Sequence, residues 1–380
     1  MTKDIVYVGV NDHDIDLFEG QYRVPNGMAY NSYLLLDEQV AVIDTVDARF
    51  TDEWLAKIRA VLGEKTPAYL VIQHMEPDHS AGIAAFLAAY PTAALVASAK
   101  AFGMMKSFYG VEQGEHHRTV GEGDTLSLGK HTLRFYTAPM VHWPEVIVTY
   151  DSTDKVLFSA DAFGKFGALD VDEAWVDEAR RYYIGIVGKY GAQVTALLKK
   201  LSALDMVAIC PLHGPVLENE LERYLSLYGI WASYGVEKQG VVIAYTSVYG
   251  NTRRAALRLG ELLCARGVTA QLYDLARCDM SAAVAAAFAY GKLVLATTTY
   301  NAEIFPPMRA FIHQLVERNF RARQVGLIEN GSWMPTAAKQ MRALLEPCRD
   351  LSFTDTSVRI VSALNEESEA SLVALADELC

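Results

Sequence analysis

No stretch of this 380-residue chain is apolar for the ~18–20 residues that a membrane-crossing helix needs. Its first residues, MTKDIVYVGVNDHD, lack the apolar core of a secretory leader. A soluble, cytoplasmic protein is therefore expected. Cysteine is sparse: Cys210, Cys264, Cys278, Cys348 and Cys380 are scattered, and they form no CxxC pair. That argues against a disulfide framework, an iron–sulfur cluster or a zinc ribbon and reads as free thiols. Internal repeats and low-complexity linkers are missing too. Positive charge is in deficit, with 34 Lys and Arg against 46 Asp and Glu, a formal net charge of -12. The deficit is local. Residues 240–380 hold 14 of each sign, and the rest holds 20 basic against 32 acidic residues. Such a chain repels nucleic acid and anionic membrane, so neither is expected as a partner. An acidic half can also hold cations, although acidic surfaces are more commonly just solvated.

What is present is ample apolar material, 51% of residues, and a length that suits two domains. The pattern changes near residue 240. Before it, strand-like runs predominate: 31–36, 40–44, 68–73, 132–138, 146–150, 156–160 and 207–211, with helical stretches such as 52–62, 80–90, 189–203 and 219–233. This reads as sheets with outer helices. After it, strands at 241–246, 269–274, 293–298, 325–329 and a weak fifth near 351–361 alternate with helices at 252–265, 281–290, 306–318, 335–346 and 366–379. Regular alternation predicts a doubly wound parallel sheet. The expected division is 1–238 and 239–380, across the short polar junction YGVEKQG.

The densest chemical signal is Gln73-His74-Met75-Glu76-Pro77-Asp78-His79-Ser80, directly after the apolar run AYLVIQ. Four ligand-type residues lie within six positions, and a tight loop can aim them at one small volume. Imidazole with carboxylate suits borderline divalent metals such as iron, zinc and manganese. Using so many ligands takes two metals. His142, Asp161 and His213 each follow an apolar run, at the kind of strand end where a sheet edge can gather a site. A lone histidine there is ordinarily a capping or hydrogen-bonding residue; the HxExDH density is what packing does not explain. Four imidazoles and three carboxylates would offset most of the charge of two divalent ions, and a carboxylate can bridge metals ~3.5–4 Å apart. His13, His116, His117, His131 and His313 have no such setting and read as surface or ordinary core residues.

These residues resemble the metallo-β-lactamase fold, an αββα sandwich with metals at one sheet edge. NSYLLLDEQVAVID is similar to its opening hairpin and GDTLSLG (123–129) to its mid-domain turn. Most hydrolases of that fold carry His where Glu76 stands, and a carboxylate there hardens the site in favour of iron. The pattern HxExDH, His142, Asp161, His213 resembles the flavodiiron proteins throughout. The resemblance implies His74, Glu76 and His142 on one iron, Asp78, His79 and His213 on the other, and Asp161 between them. In some relatives the counterpart of His79 swings off the metal. Trp143, in HWPE (142–145), fits a family stretch; it can support the site or simply pack.

The second signal is Thr246-Ser247-Val248-Tyr249-Gly250-Asn251-Thr252, between an apolar strand and a helix. Hydroxyls and free backbone N–H groups at a helix start make an anion site. The lysine of a GxxxxGK[ST] loop is missing, which disfavours a nucleoside triphosphate. Alone, such a turn is a helix cap as readily as a phosphate site. Thr298-Thr299-Tyr300-Asn301-Ala302 and Asn330-Gly331-Ser332-Trp333-Met334 follow two further strands, at the ends where open parallel sheets bind ligands. Tyr300 and Trp333 can flank a flat ring or belong to the core. This half resembles flavodoxin, which implies FMN, with residues 247–252 on its phosphate and the other two loops around its ring. YTSVYGNT and TTTYNAEIFPP are close to the flavodiiron versions, so the resemblance spans nearly the whole chain.

Membership would imply reduction of dioxygen to water, or of nitric oxide to nitrous oxide, at a non-haem di-iron site fed through FMN. With no further domain expected before Met1 or after Cys380, a separate donor such as rubredoxin would supply electrons. Arg253 and Arg254 can face an acidic donor or be plain surface charges. The family's head-to-tail homodimer, or a dimer of such dimers, brings FMN of one chain beside the irons of the other, and the same is expected here. Two alternatives remain at this point. One is a zinc-dependent hydrolase with a regulatory flavin module. The other is a non-enzymatic flavin electron carrier.

Overall fold

The structure is a computed structural model, which describes residues 3–380. Their contacts separate into two compact units, Met1–Gly229 and Ile230–Cys380.

The first unit stacks two sheets. One orders its strands Ile5–Tyr7, Tyr33–Leu35, Ala41–Ile43, Tyr69–Ile72, Ala94–Ala97 and Arg118–Thr119. The other orders Thr125–Ser127, Thr132–Thr137, Ile147–Asp151, Val156–Phe158 and Ala208–Cys210. Strand periodicity sends alternate residues to opposite faces. Tyr33, Leu35, Ile43, Val71 and Val96 meet Leu133, Phe135, Ile147, Phe158 and Cys210 between the sheets. Leu34, Val42, Leu70, Ile72 and Leu95 face outward onto helical residues. Those come from Thr51–Leu62, which buries Trp54, Leu55, Ile58 and Leu62 along one stripe, and from Ile83–Ala89 and Ala99–Tyr109. On the second sheet's side lies the helix Gly191–Leu201, whose Lys200 ammonium donates to the Thr137 carbonyl at 2.8 Å. The arrangement is the αββα sandwich expected. It adds elements that the sequence pattern left unread, among them the strand Ala94–Ala97 and the helices Ala99–Tyr109 and Trp175–Tyr182.

The predicted helix 80–90 is Ile83–Ala89, and a separate turn precedes it. Pro77–Ser80 forms a single turn and Ile83–Ala89 starts anew. Between them Gly82 lies so close to Thr45 and Trp54 that an added Cβ would stand 2.9 and 3.0 Å from them. That close approach anchors the ligand-bearing turn to the sheet: Thr45 Oγ1 donates to the His79 carbonyl (2.9 Å) and accepts from the Gly82 N–H (3.1 Å).

Pairing directions decide where the site lies. Thr132–Thr137 and Val156–Phe158 are both antiparallel to Ile147–Asp151, and Ala208–Cys210 is parallel to Val156–Phe158. Three strands of the second sheet therefore end on the same edge, just before His142, Asp161 and His213.

The second unit is a five-stranded parallel sheet with one short antiparallel appendage, Glu303–Ile304. Its order is Ala270–Asp274, Lys238–Tyr245, Tyr290–Tyr300, Gln324–Asn330, Ser352–Ile360. In chain order that is 2-1-3-4-5, the flavodoxin-like order, whose switch point lies between its first and third strands. Helices Asn251–Ala265 and Glu366–Glu378 bury Leu259, Leu263, Leu372 and Leu375 against one face. Met280–Ala289 and Pro306–Glu317, burying Phe288, Phe311 and Ile312, take the other.

Candidate functional site

The His74 loop starts where Tyr69–Ile72 runs out of sheet. Asp44, at the end of the neighbouring parallel strand Ala41–Ile43, accepts the Gln73 N–H at 2.8 Å and the Gln73 side-chain amide at 2.9 Å. Burial pushes the Asp44 carboxyl up to about 6, against the pull of the Gln73 bonds. The chain then turns through Glu76 into Pro77–Ser80, with Pro77 at the first helical position, where its missing N–H costs nothing. Ser80 Oγ closes the turn onto the Met75 carbonyl at 2.8 Å.

All seven predicted ligands converge, in two groups. In the first, His74 Nε2 lies 3.2 Å from Glu76 Oε2 and 3.2 Å from Asp161 Oδ2. His142 Nε2 lies 3.0 Å from that same Glu76 oxygen and 3.1 Å from that same Asp161 oxygen. In the second, His79 Nε2 is 3.0 Å from His213 Nε2, and these nitrogens are 3.3 and 3.4 Å from Asp78 Oδ2. The other oxygen of Asp161, Oδ1, faces this second group, 3.3 Å from His79 Nε2 and 3.7 Å from His213 Nε2. Each group is a cage of four donor atoms. Bonds of ~2.0–2.2 Å to a tetrahedral ion give donor–donor edges of roughly 3.3–3.6 Å, close to these distances.

Electrostatics point the same way. Burial disfavours a charged His74, yet Asp161, Glu145 and Glu76 outweigh it and hold the imidazole well above its ordinary value. Burial is likewise overcome at His142, which Asp161 and Glu76 raise to about 9. Despite burial, Asp161 is held well below the carboxylate range by His74, His142 and His79, and Glu76 is lowered by His142 and His74. Asp78 goes the other way: burial, with Glu76 and Asp161 nearby, lifts it to about 7 although His79 pulls it down. Burial depresses His213. Both oxygens of Asp78 and both of Asp161 are buried without a hydrogen-bond donor. Buried carboxylate oxygens without donors are costly unless a cation meets them, so the donor set fits a pair of divalent ions.

Supporting contacts orient the cage. His74 Nδ1 lies 2.8 Å from Glu145 Oε1, which also accepts the Met75 N–H at 2.9 Å. His213 Nδ1 donates to the Ala29 carbonyl at 2.7 Å. Sequence reasoning did not single out Glu145 or Asp44; for Glu145 the available signal was its place three residues after His142. Trp143 sets its ring edge-on to His74 (5.2 Å between centroids) and parallel to Phe108 (6.4 Å), so it both packs and bounds the site. Phe18, Tyr30 and Tyr182 wall in His213 at 5.3, 6.0 and 5.5 Å. Asp44, Met140, Ala160 and Phe163, all near the ligand loops, hold left-handed backbones, a form of strain that gathers at functional sites.

The other histidines divide. His13 pairs with Asp170 at the surface, and His117 stacks on Phe102. His131 is buried, as the core half of the expectation allowed, but its surroundings are acidic: Asp151 meets Nδ1, and Asp4 and Asp154 stand beside it.

In the second unit a cleft of about 500 Å³ opens at the strand C-terminal ends. Of the predicted residues, Ser247, Val248, Tyr249, Asn251, Thr252, Thr298, Thr299, Tyr300, Asn301, Asn330, Gly331, Ser332 and Trp333 line it. Thr246 and Gly250 do not. Thr246 is buried, its hydroxyl 2.6 Å from that of Thr297. Gly250, with φ +92, caps the helix and donates its N–H to Ser247 Oγ at 3.0 Å. Ala302, Met334, Thr336 and Ser362 complete the lining, and of these Thr336 and Ser362 carried no sequence signal. Tyr300 and Trp333, 45% and 87% exposed, are not core residues, and with the exposed Tyr249 they border the cleft.

A family model described as ODP family beta lactamase matches residues 28–214. A nitric oxide reductase of Moorella thermoacetica is 30% identical over 326 residues, 83% of this chain and 81% of that protein. The structure of rubredoxin oxygen:oxidoreductase from Desulfovibrio gigas superimposes with a TM-score of 0.92 at 26% identity, covering 100% of this chain and 96% of that one. The flavodiiron protein of Giardia intestinalis gives a TM-score of 0.91, 26% identity and the same coverage.

Proposed function

The chain belongs to the flavodiiron protein family, and from that premise we propose that it is an oxidoreductase reducing dioxygen to water or nitric oxide to nitrous oxide at a non-haem di-iron site. The observation that carries the reading is Asp161, one oxygen turned to each of two four-atom cages. His74, Glu76 and His142 would hold one iron, and Asp78, His79 and His213 the other. The cleft loops at 246–252, 298–302 and 330–334 would hold FMN. When bound, these groups supply the electrons that reduce the gas.

The chain's own residues do the rest. Asp161, buried and flanked by four imidazoles, stays ionised and keeps both cages on one substrate. Glu145 and the Ala29 carbonyl fix the ring orientations of His74 and His213, leaving Nε2 of each aimed inward. Phe18, Tyr30, Tyr182 and Trp143 surround the imidazoles with aromatic surface, which admits a small uncharged gas and disfavours bulk water. Ser247 and the N–H groups opening Asn251–Ala265 offer a phosphate its anion site, in a turn that Gly250 closes by donating to Ser247 Oγ.

The remaining parts of the proposal are a di-iron unit spanning 1–238 and a flavin unit spanning 239–380, a head-to-tail homodimer, electrons from a small donor such as rubredoxin, and a cytoplasmic location. Among the described residues no helix is long and apolar enough to cross a membrane.

The test compares steady-state consumption of dioxygen and of nitric oxide by one preparation with one reductant, alongside iron and FMN content. Consumption of at least one gas that disappears in Asp161→Ala is expected. A preparation carrying two irons and FMN that consumes neither would overturn the reading.

A further inference from the structure

His131 sits just before the strand Thr132–Thr137, at the opposite end from the His142 loop. Six residues of strand, roughly 20 Å at ~3.3 Å per residue, separate it from the cages. It is fully buried, and its two ring nitrogens meet different surroundings. Nδ1 lies 2.8 Å from Asp151 Oδ2. Nε2 is buried without a hydrogen-bond partner and aims at Asp4, whose Oδ2 is 3.5 Å away. The third side chain at that spot is Asp154, whose Oδ2 is also buried and without a partner. One donor atom from each of His131, Asp4 and Asp154 lies within 4.8 Å of the other two.

We propose that His131 Nε2 and the carboxylates of Asp4 and Asp154 form a separate binding site for a borderline divalent cation of the Zn2+ class. The ligand chemistry, one imidazole and two carboxylates, suits such an ion, with water in the remaining positions. Asp151 prepares two of the three ligands. Accepting from His131 Nδ1–H, it leaves the Nε2 lone pair free, as metal-bound histidines require. It also accepts the N–H groups of Thr153 (3.1 Å) and Asp154 (3.3 Å), which orders the turn presenting Asp154. Asp37 anchors the opposing loop, accepting the N–H groups of His131 (2.6 Å) and Lys130 (3.1 Å).

One cation is already present: Lys130 Nζ, 2.5 Å from Asp4 Oδ2. The Lys130 side chain is 55% exposed, so its ammonium can turn into water as the metal takes its place. Lys130 does not reach His131 Nε2, the atom its presence leaves unpaired. Asp4, Asp37, Asp151 and Asp154 around one lysine favour a second positive charge.

The experiment uses the full chain loaded with iron and FMN, freed of loose metal and titrated with Zn2+ by calorimetry. Metal content is measured after gel filtration. One zinc per chain beyond the iron is expected, with iron and FMN contents unchanged. Asp154→Asn and His131→Gln should lose that zinc, and Asp151→Asn should weaken it by about 10–100-fold. His131 is buried and its replacement can unfold the chain; Asp154 is partly exposed, and its variant keeps the test decisive. No zinc beyond the iron, zinc taken up only in exchange for iron, or a full equivalent retained by Asp154→Asn would each overturn the proposal.

Discussion

His74 Nδ1 lies 2.8 Å from Glu145 Oε1, with both side chains sealed from solvent. The carboxylate decides which ring nitrogen carries the proton, and so which one is free to bind a metal. Burial opposes a charged Glu145, but His74 and the Met75 N–H hold it below its ordinary value, so it remains an acceptor. Glu145→Gln should weaken iron retention by about 10–100-fold. Iron per chain after dialysis against a graded chelator checks this; a variant that keeps wild-type iron would refute the role.

The metal-free protein should lose stability as pH rises from about 6.5 toward 9. His142 is raised from 6.5 to about 9, so its contribution is complete below 6.5 and lost as pH passes the folded value. Asp78 is raised from 3.8 to about 7; this burial cost grows between those values and persists above them. At alkaline pH the His142 stabilisation is gone while the Asp78 cost remains, so the decline between 6.5 and 9 comes mainly from His142, each pKa unit being worth about 1.4 kcal/mol. Bound metal would supply the positive charge instead. Urea unfolding of the metal-free and loaded forms from pH 6 to 9 tests the difference, and parallel curves for the two would refute it.

Trp333, at the rim of the cleft, should stack on a bound flavin. Trp333→Ala is expected to weaken FMN binding by about 0.5–1.5 kcal/mol, up to roughly tenfold, with little effect on folding. Quenching of flavin fluorescence on titration measures it. Unchanged affinity would place the flavin away from this side chain.

Arg323 is a buried guanidinium satisfied by carbonyls: Tyr290 at 2.7 Å, Tyr234 and Gly235 at 2.8 Å, and Phe288 at 2.5 Å. Burial lowers its pKa to about 10. Arg323→Met should destabilise the second unit by about 3 kcal/mol, because several buried carbonyls lose a charged donor together. Chemical denaturation followed by near-ultraviolet circular dichroism reads this, and a shift under 1 kcal/mol would contradict it.

Both folds were legible because their signals are local. In the second unit the central strands Lys238–Tyr245, Tyr290–Tyr300 and Gln324–Asn330 carry apolar runs, and helical segments follow at regular spacing, so alternation alone implied a parallel sheet even where the outer strands are only partly apolar. The HxExDH cluster was legible for a similar reason: four ligands fall within one turn of chain, directly after a buried strand. Contacts between residues far apart in the chain were not legible. Glu145 reaches His74 across 71 positions and Asp151 reaches His131 across 20, and neither carboxylate looks unlike a surface acid in the sequence. The separate turn Pro77–Ser80 ahead of Ile83–Ala89 was hidden too, since the break between them lies where Gly82 packs on Thr45 and Trp54.

By itself the amino-acid order determined which residue types could serve as ligands and that their segments alternate with strands, because hydrophobic periodicity and ligand chemistry are properties of short segments. Only the tertiary structure decided that the two oxygens of Asp161 face different cages and that His131 keeps one nitrogen unpaired beside Asp4. Those outcomes depend on strand direction and register, which bring distant segments to one edge, and on the exclusion of water that packing alone achieves.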